Sequence, residues 1–74
     1  MKSVLNFGIL GCGMIADVHA KAILSLDNAN LYGVADNNLE YAEKFAEKYG
    51  VKSYSNYEEM LADGDIDAVC ICTP

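Results

Sequence analysis

Short apolar runs alternate with longer amphipathic stretches from one end of this 74-residue chain to the other. The apolar runs have the length and continuous hydrophobicity of strands that are buried on both faces, and the longer stretches have apolar residues at helical spacing. This alternation predicts an α/β fold with a parallel sheet, and right-handed crossovers give the strand order 3-2-1-4. The predicted strands and helices are, in chain order, Val4–Leu10, Ile15–Leu26, Leu31–Ala35, Leu39–Tyr49, Lys52–Tyr54, Tyr57–Ala62 and Ala68–Cys72.

Local sequence signals mark where two of the predicted helices begin or end. Asn37 or Asn38 can cap the start of the second helix, and Gly50 suits its left-handed end. The spacing of Ser55 and Glu58 predicts a capping box before the third helix. The apolar residues that we expect to face the core are Ile15, Val18, Ala22, Ile23 and Leu26 in the first helix, and Leu39, Ala42, Phe45, Ala46 and Tyr49 in the second.

The composition is that of one small folded domain, with 53% hydrophobic and 22% charged residues and a single proline. It excludes a disordered tail, and no run approaches the ~18 apolar residues of a membrane span. Eleven acidic residues face five basic ones, all of them lysine, which gives a net charge of −6. A nucleic acid or an anionic membrane surface requires a basic face, so neither is an expected partner.

The three cysteines, Cys12, Cys70 and Cys72, form neither a disulfide framework nor a zinc motif, because their number is odd and their spacing is wrong. Cys70 and Cys72 should share one face of a strand and pack as small apolar residues. The first residues contain no apolar segment typical of a signal peptide. We therefore expect a reducing, cytoplasmic location.

The only histidine, His19, has no second histidine or carboxylate cluster on its helical face beyond Asp17, so we predict no metal site. We expect His19 to pack or to cap near the start of the first helix. The tyrosines are too dispersed for a stacking platform, and packing is the expected role of Tyr32, Tyr41, Tyr49, Tyr54 and Tyr57.

A glycine-rich loop, G-C-G-M-I-A over residues 11–16, follows the first predicted strand and opens the first predicted helix. Gly11 permits a tight turn, Gly13 lets the backbone approach a pyrophosphate, and Ala16 keeps the helix close to the sheet. The backbone N–H groups of Gly13, Met14 and Ile15 would point at the phosphates. This pattern, with a strand before it and a helix after it, predicts a dinucleotide site.

Asp36 ends the second predicted strand, 20 residues after Ala16. At this position a carboxylate accepts hydrogen bonds from a ribose diol, and it repels the 2′-phosphate of NADP. Asn37 follows it, and the chain contains no arginine that could hold such a phosphate. We therefore predict Asp36 and Asn37 as cofactor-binding residues and NAD, rather than NADP, as the cofactor.

Three alternatives remain open at this point. The glycines could form only a tight βα turn, with Asp36 as a surface acid. A methyltransferase also often has G-C-G after its first strand, although it usually carries an acid just before the glycines, where this chain has Ile9 and Leu10. A dinucleotide-binding module without catalysis, such as a redox sensor, requires the same loop as an oxidoreductase does.

Four runs together resemble the Gfo/Idh/MocA oxidoreductases, the relatives of glucose-fructose oxidoreductase and inositol dehydrogenase. The resemblance covers essentially all 74 residues and is far more specific than the glycine loop alone. It is carried by FGILGCGMIA with His19 (7–16), GVAD (33–36), FAEKYGV with the YEEML helix (45–51 and 57–61), and DIDAVCICTP (65–74).

The resemblance implies an N-terminal Rossmann domain that binds NAD or NADP and a C-terminal domain that contacts a sugar, inositol or related polyol. It places Gly11, Gly13, Met14 and Ile15 on the pyrophosphate, Asp36 on the adenosine ribose, and Cys72, Thr73 and Pro74 along the cofactor toward the nicotinamide. Family members are several times longer, and their catalytic lysine and acid/base residues would follow Pro74. Residues 1–74 are then a truncated Rossmann domain with no catalytic residue of its own.

The same implication extends to assembly. The parent enzyme would form a homo-oligomer through the absent C-terminal domain. In this chain the Ala68–Cys72 strand would have an unpaired, apolar outer edge, and such edges pair with other chains. We therefore expect the chain alone to self-associate.

Overall fold

A four-stranded parallel sheet forms the centre of the fold, in the order β3-β2-β1-β4. The computed structural model describes residues 4–72. The predicted α/β class and strand order 3-2-1-4 are confirmed. The elements are β1 Leu5–Leu10, α1 Met14–Leu24, β2 Ala29–Ala35, α2 Leu39–Tyr49, β3 Lys52–Tyr54, α3 Tyr57–Leu61 and β4 Ala68–Ile71.

The helices cover the sheet from both sides. The chain steps from β1 to β2 to β3 in one direction, so its right-handed crossovers place α1 and α2 on the same face. It then returns past β1 to reach β4, which places α3 on the opposite face. The larger buried cluster, between the sheet and α1 and α2, is formed by Ile9, Ala16, Ala20, Ile23, Leu31, Val34, Phe45 and Ala46. The smaller one, beneath α3, is formed by Leu10, Ala35, Tyr54 and Met60.

The buried face of α1 differs from the predicted one. Ala16 and Ala20 are fully buried and Ile23 nearly so, whereas Ile15 and Val18 are 57% and 63% exposed. Ala22 and Leu26 are exposed as well, so Ile23 alone of the five expected residues lies in the core. The reason is the loop before the helix: it turns Ala16 onto the sheet, and residues at i, i+4 and i+7 from there share its face. Small alanines at these positions bring the helix close to β1 and β2.

The second helix is confirmed over Leu39–Tyr49, with Ala42, Phe45 and Ala46 buried. Its cap is Asn38, whose side chain accepts hydrogen bonds from the N–H groups of Glu40 and Tyr41. Gly50 ends it in the left-handed conformation with φ 66°. Leu39, expected inside, is 44% exposed at the first position of the helix.

The third helix begins at a different cap from the predicted one. Asn56 caps it, accepting from the N–H of Glu59 at 2.8 Å, and Glu59 accepts in turn from the hydroxyl of Ser55 at 2.6 Å. The reciprocal arrangement is therefore shifted by one residue from Ser55 and Glu58. An asparagine at this position caps at least as well as a serine, which explains the shift.

Candidate functional site

A cavity of about 830 Å³ opens at the carboxyl ends of β1, β2 and β4. β2 and β4 lie on opposite sides of β1, and ligands of open parallel sheets bind in the crevice where the strand order reverses in this way. Seven of the nine predicted binding residues line it: Gly11, Gly13, Met14, Ile15, Asp36, Asn37 and Cys72. The other two, Thr73 and Pro74, lie outside the described residues.

The glycine loop begins with a residue that only glycine accommodates well. Gly11 has φ 94°, a conformation that side chains with a Cβ rarely adopt. Its N–H donates to the carbonyl of Ala35 at 2.7 Å, so the loop leaves β1 while still bonded to the end of β2. This turn brings the start of α1 over the sheet and into the cavity wall.

The start of α1 carries no side-chain cap, in contrast to α2 and α3, which are each capped by an asparagine. The N-cap residue is Gly13, and Gly13, Met14 and Ile15 all line the cavity. The first N–H groups of a helix have no partner within the helix, and its dipole favours negative charge there. An anionic group in the cavity would therefore meet N–H donors to which no side chain within residues 4–72 is hydrogen-bonded as a cap.

Gly13 faces open space. A Cβ built at this position meets no heavy atom within 4 Å, and the φ of −83° is accessible to any residue. The fold itself therefore does not require glycine here. A ligand that approaches the backbone closely would require it, because a methyl group would stand between the two.

Asp36 is held by the backbone on both of its carboxylate oxygens. Oδ2 accepts from the N–H of Cys12 at 2.8 Å, and Oδ1 accepts from the N–H of Asn38 at 2.8 Å. One bond fixes the carboxylate against the glycine loop and the other against the start of α2. Each oxygen retains a lone pair, so the carboxylate is oriented and can still accept from a hydroxyl in the cavity.

The cysteines at the cavity are protonated thiols rather than nucleophiles. Burial raises the pKa of Cys12 to about 12, with further contributions from Asp36 and Cys72. Burial also raises the pKa of Cys72. Reactive cysteines have a lowered pKa, so this environment does not activate either thiol. Cys70 and Cys72 pack together against the larger buried cluster, as predicted for small apolar residues on one face of a strand.

Two tyrosines at the cavity were missed by sequence reasoning. Tyr41 from α2 and Tyr57 from α3 both line it, although they are 16 residues apart and were expected to serve only in packing. The signal lay in their positions: each is near the start of a helix that follows a strand of the parallel sheet. Residues that are far apart in the sequence can lie close together in space, because the crossovers bring the starts of different helices together.

The remaining candidates lie elsewhere. His19 is exposed on α1 and is absent from the cavity wall, contrary to the expected packing role. Within residues 4–72, no group of three histidine, cysteine or acidic side chains could hold a metal ion. The helices of this part of the chain are all too short or too polar to cross a membrane.

Comparison with known proteins shows where this architecture belongs. The Gfo/Idh/MocA family model, described as an oxidoreductase family with an NAD-binding Rossmann fold, matches residues 5–74. The chain belongs to this family. The resemblance of its four sequence runs is thereby confirmed, and the methyltransferase alternative is excluded.

Three family relatives give the detail. Inositol 2-dehydrogenase of Rhizobium meliloti is 44% identical over 70 residues, which are 95% of this chain and 21% of that protein. Myo-inositol dehydrogenase of Lactobacillus casei, solved with NAD(H) and myo-inositol, superposes with a TM-score of 0.86 at 29% identity, over 95% of this chain and 22% of that one. The WlbA dehydrogenase of Bordetella pertussis, solved with NADH and UDP-GlcNAcA, gives 0.88 at 35% identity, over 96% and 22%. This chain therefore spans about one fifth of the length of the relatives that it matches.

Proposed function

We propose that this chain is the cofactor-binding portion of an oxidoreductase that transfers a hydride between a nicotinamide dinucleotide and a sugar, inositol or related polyol. The observation that carries the proposal is one continuous cavity wall that joins the uncapped start of α1 to the backbone-held carboxylate of Asp36. Inositol and sugar-nucleotide dehydrogenases among the relatives support the substrate class.

Residues of the chain fit the two polar parts of such a cofactor. The N–H groups of Gly13, Met14 and Ile15 would hold the pyrophosphate, and the open space at Gly13 would admit it. Asp36 would accept from the ribose hydroxyls, with Asn37 beside it. Cys72, Thr73 and Pro74 would follow the cofactor toward the nicotinamide, which supplies the hydride chemistry when it is bound.

We propose NAD in preference to NADP. The carboxylate of Asp36 cannot turn away from the ribose without breaking its bonds to the N–H groups of Cys12 and Asn38. A 2′-phosphate would then lie against a fixed negative charge, in a chain without arginine.

The chain alone is expected to bind but not to catalyse. We propose that residues 1–74 are the N-terminal portion of a dinucleotide-binding domain, and that the catalytic residues and the substrate domain belong to the remaining four fifths of the parent enzyme. We assign no catalytic residue here, because the lysine and the acid/base residue that the family resemblance implies for proton transfer would follow Pro74. The three free thiols support a cytoplasmic location.

The test is a calorimetric titration of the full chain with NADH, NADPH and S-adenosylmethionine. We expect saturable NADH binding, NADPH binding at least about tenfold weaker, and no binding of S-adenosylmethionine. Absence of a saturable signal up to millimolar NADH would contradict the proposed site. Tighter binding of NADPH than of NADH would contradict the cofactor preference alone.

A further inference from the structure

The adenosine side of the cavity is bounded by tyrosines from opposite faces of the sheet. Tyr41 reaches it from α2 and is 58% exposed. Tyr57 reaches it from the first turn of α3, is half-buried, and packs against the cluster of Leu10, Ala35, Tyr54 and Met60. The ring of Tyr57 is therefore held in place before any ligand arrives, whereas that of Tyr41 is largely surrounded by solvent.

Tyr57 lines the same cavity as Asp36 and Asn37, the residues that follow β2. Burial raises the pKa of Tyr57, the carboxylate of Asp36 and then Cys12 raise it further, and the N–H of Asn37 opposes them. The phenol thus stays neutral at physiological pH. One wall of the cavity at this point is consequently a flat, uncharged aromatic ring.

The chemistry of adenosine connects this wall to the ribose site. The base is attached to the ribose carbon that adjoins the one bearing the 2′-hydroxyl, so a base must lie beside whatever group holds that hydroxyl. With the ribose on Asp36, the fixed surface that the base meets is the ring of Tyr57. We propose that Tyr57 is an adenine-contacting residue that contributes to affinity through the adenosine half of the dinucleotide. This inference rests on the proposed function and names a residue for it.

The experiment compares three ligands on the full chain: NADH, AMP, which has only the adenosine half, and reduced nicotinamide mononucleotide, which lacks it. Stacking of a base on an aromatic ring is typically worth at least about a fivefold change in affinity when the ring is removed. Tyr57→Leu should therefore lower the affinity for NADH and for AMP by about fivefold or more and leave the affinity for the mononucleotide unchanged. Tyr57→Phe, which keeps the ring, should bind all three as the wild type does. Tyr32→Leu is the matched control, since Tyr32 does not line the cavity.

A second measurement on the wild type is independent of any folding defect in the variants. Nuclear Overhauser contacts between the adenine protons and the ring of Tyr57 should appear in the NADH complex. Unchanged NADH affinity in Tyr57→Leu, an equal loss in Tyr57→Phe, or a complex without those contacts would each overturn the inference. Failure of the wild type to bind NADH would instead overturn the proposed function, so the two failures are distinguishable.

Discussion

At the scale of single residues, one carboxylate connects three parts of the chain. Asp36 directly follows β2, and its carboxylate accepts from the N–H of Cys12 in the glycine loop and from that of Asn38 at the start of α2. The residue proposed to recognise the ribose also holds the loop proposed to bind the phosphates. Its substitution should therefore affect both halves of the site together.

Asp36→Asn tests this double role. An amide nitrogen cannot accept from an N–H group, so one of the two backbone bonds is lost together with the negative charge. Because hydrogen bonds to a charged group contribute about 1.5–3 kcal/mol, NADH affinity should fall about tenfold or more. The affinity for NADPH should not rise by a corresponding amount, because the substitution loosens the glycine loop as well. Titration of both cofactors measures this, with Asp27→Asn, in the turn after α1, as the control. Tight NADPH binding by the variant would show that Asp36 acts on the ribose alone.

Gly13→Ala tests whether glycine at this position is required for ligand binding rather than for folding. Apart from its chain neighbours, no described residue has a heavy atom within 4 Å of the added methyl group, so thermal stability should stay within about 1 kcal/mol of wild type. NADH affinity should fall at least about tenfold, because the methyl group occupies space that a pyrophosphate requires. Gly64→Ala is a matched control: it also meets nothing within 4 Å and lies outside the cavity. Equal NADH affinity in both variants would remove Gly13 from the site.

At the scale of elements, α1 and α2 show what sequence patterns can predict. The buried face of α2 was predicted well because its apolar residues repeat on one face and its flanks carry a cap and a glycine. The face of α1 was not, because apolar side chains surround this helix and hydrophobicity alone does not determine its rotation. The turn at Gly11 determines that rotation, and it depends on the bond from Gly11 to Ala35 in another strand.

The candidate site also has a part that the sequence predicted and a part that it did not. The loop and Asp36 follow from local spacing, because a strand end and a helix start bring them to one sheet edge. Tyr41 and Tyr57 could not be recognised, because their proximity depends on two separate crossovers. The bonds of Asp36 to the backbone were also outside the pattern, since no motif specifies which N–H groups surround a carboxylate.

An ion pair ties α1 to the end of α2, and its pH dependence can be stated. Asp17 accepts from the hydroxyl of Tyr49 and from Lys48 at 2.9 Å, and these bonds lower the pKa of Asp17. A lowered pKa in the folded state stabilises the fold above the unfolded value near 3.8, and this contribution is lost as the pH falls through the folded value.

Asp17→Asn should therefore lower the free energy of unfolding at pH 7 by about 0.5 kcal/mol, a small effect because the pair is partly solvated. The difference from wild type should be smaller at pH 3, because the carboxyl of the unfolded chain, with a pKa near 3.8, is already largely protonated there. Urea unfolding at both pH values measures it, with Asp27→Asn again as the control. A difference that stays constant with pH would assign the effect to packing of the side chain instead.

At the scale of the whole molecule, apolar surface remains on two sides. The outward face of α1 exposes Ile15 and Val18, with Met14 90% exposed beside them. On the other side, β4 is an edge strand whose Ile71 is 70% exposed. An edge strand offers unpaired backbone groups in addition to apolar side chains, so it is the stronger candidate for contact between copies.

We expect the chain to self-associate through β4 as its concentration rises. Light scattering over a dilution series should show a mass above that of one chain, and Ile71→Lys should reduce it, because a charge on an edge strand opposes pairing. Val18→Lys places the same charge on α1 and should leave the association unchanged. A monomer at all concentrations would contradict the expectation, and dissociation caused by Val18→Lys would move the contact to α1.

The position of β4 beside β1 has a consequence for how the chain is made. Of the four described strands, β4 is the last to be synthesised, and its neighbour β1 is the first. Asp67 and Asn6 are joined by two hydrogen bonds of 2.8 Å, and the N–H of Cys72 donates to the carbonyl of Leu10 at 2.7 Å. During synthesis on the ribosome, one edge of β1 therefore stays unpaired while α1, β2, α2 and β3 fold next to it. The last wall of the cavity arrives with Ile71 and Cys72. A nascent chain can thus hold a ligand only after nearly all of residues 4–72 have emerged, so ligand binding reports that β4 has joined the sheet.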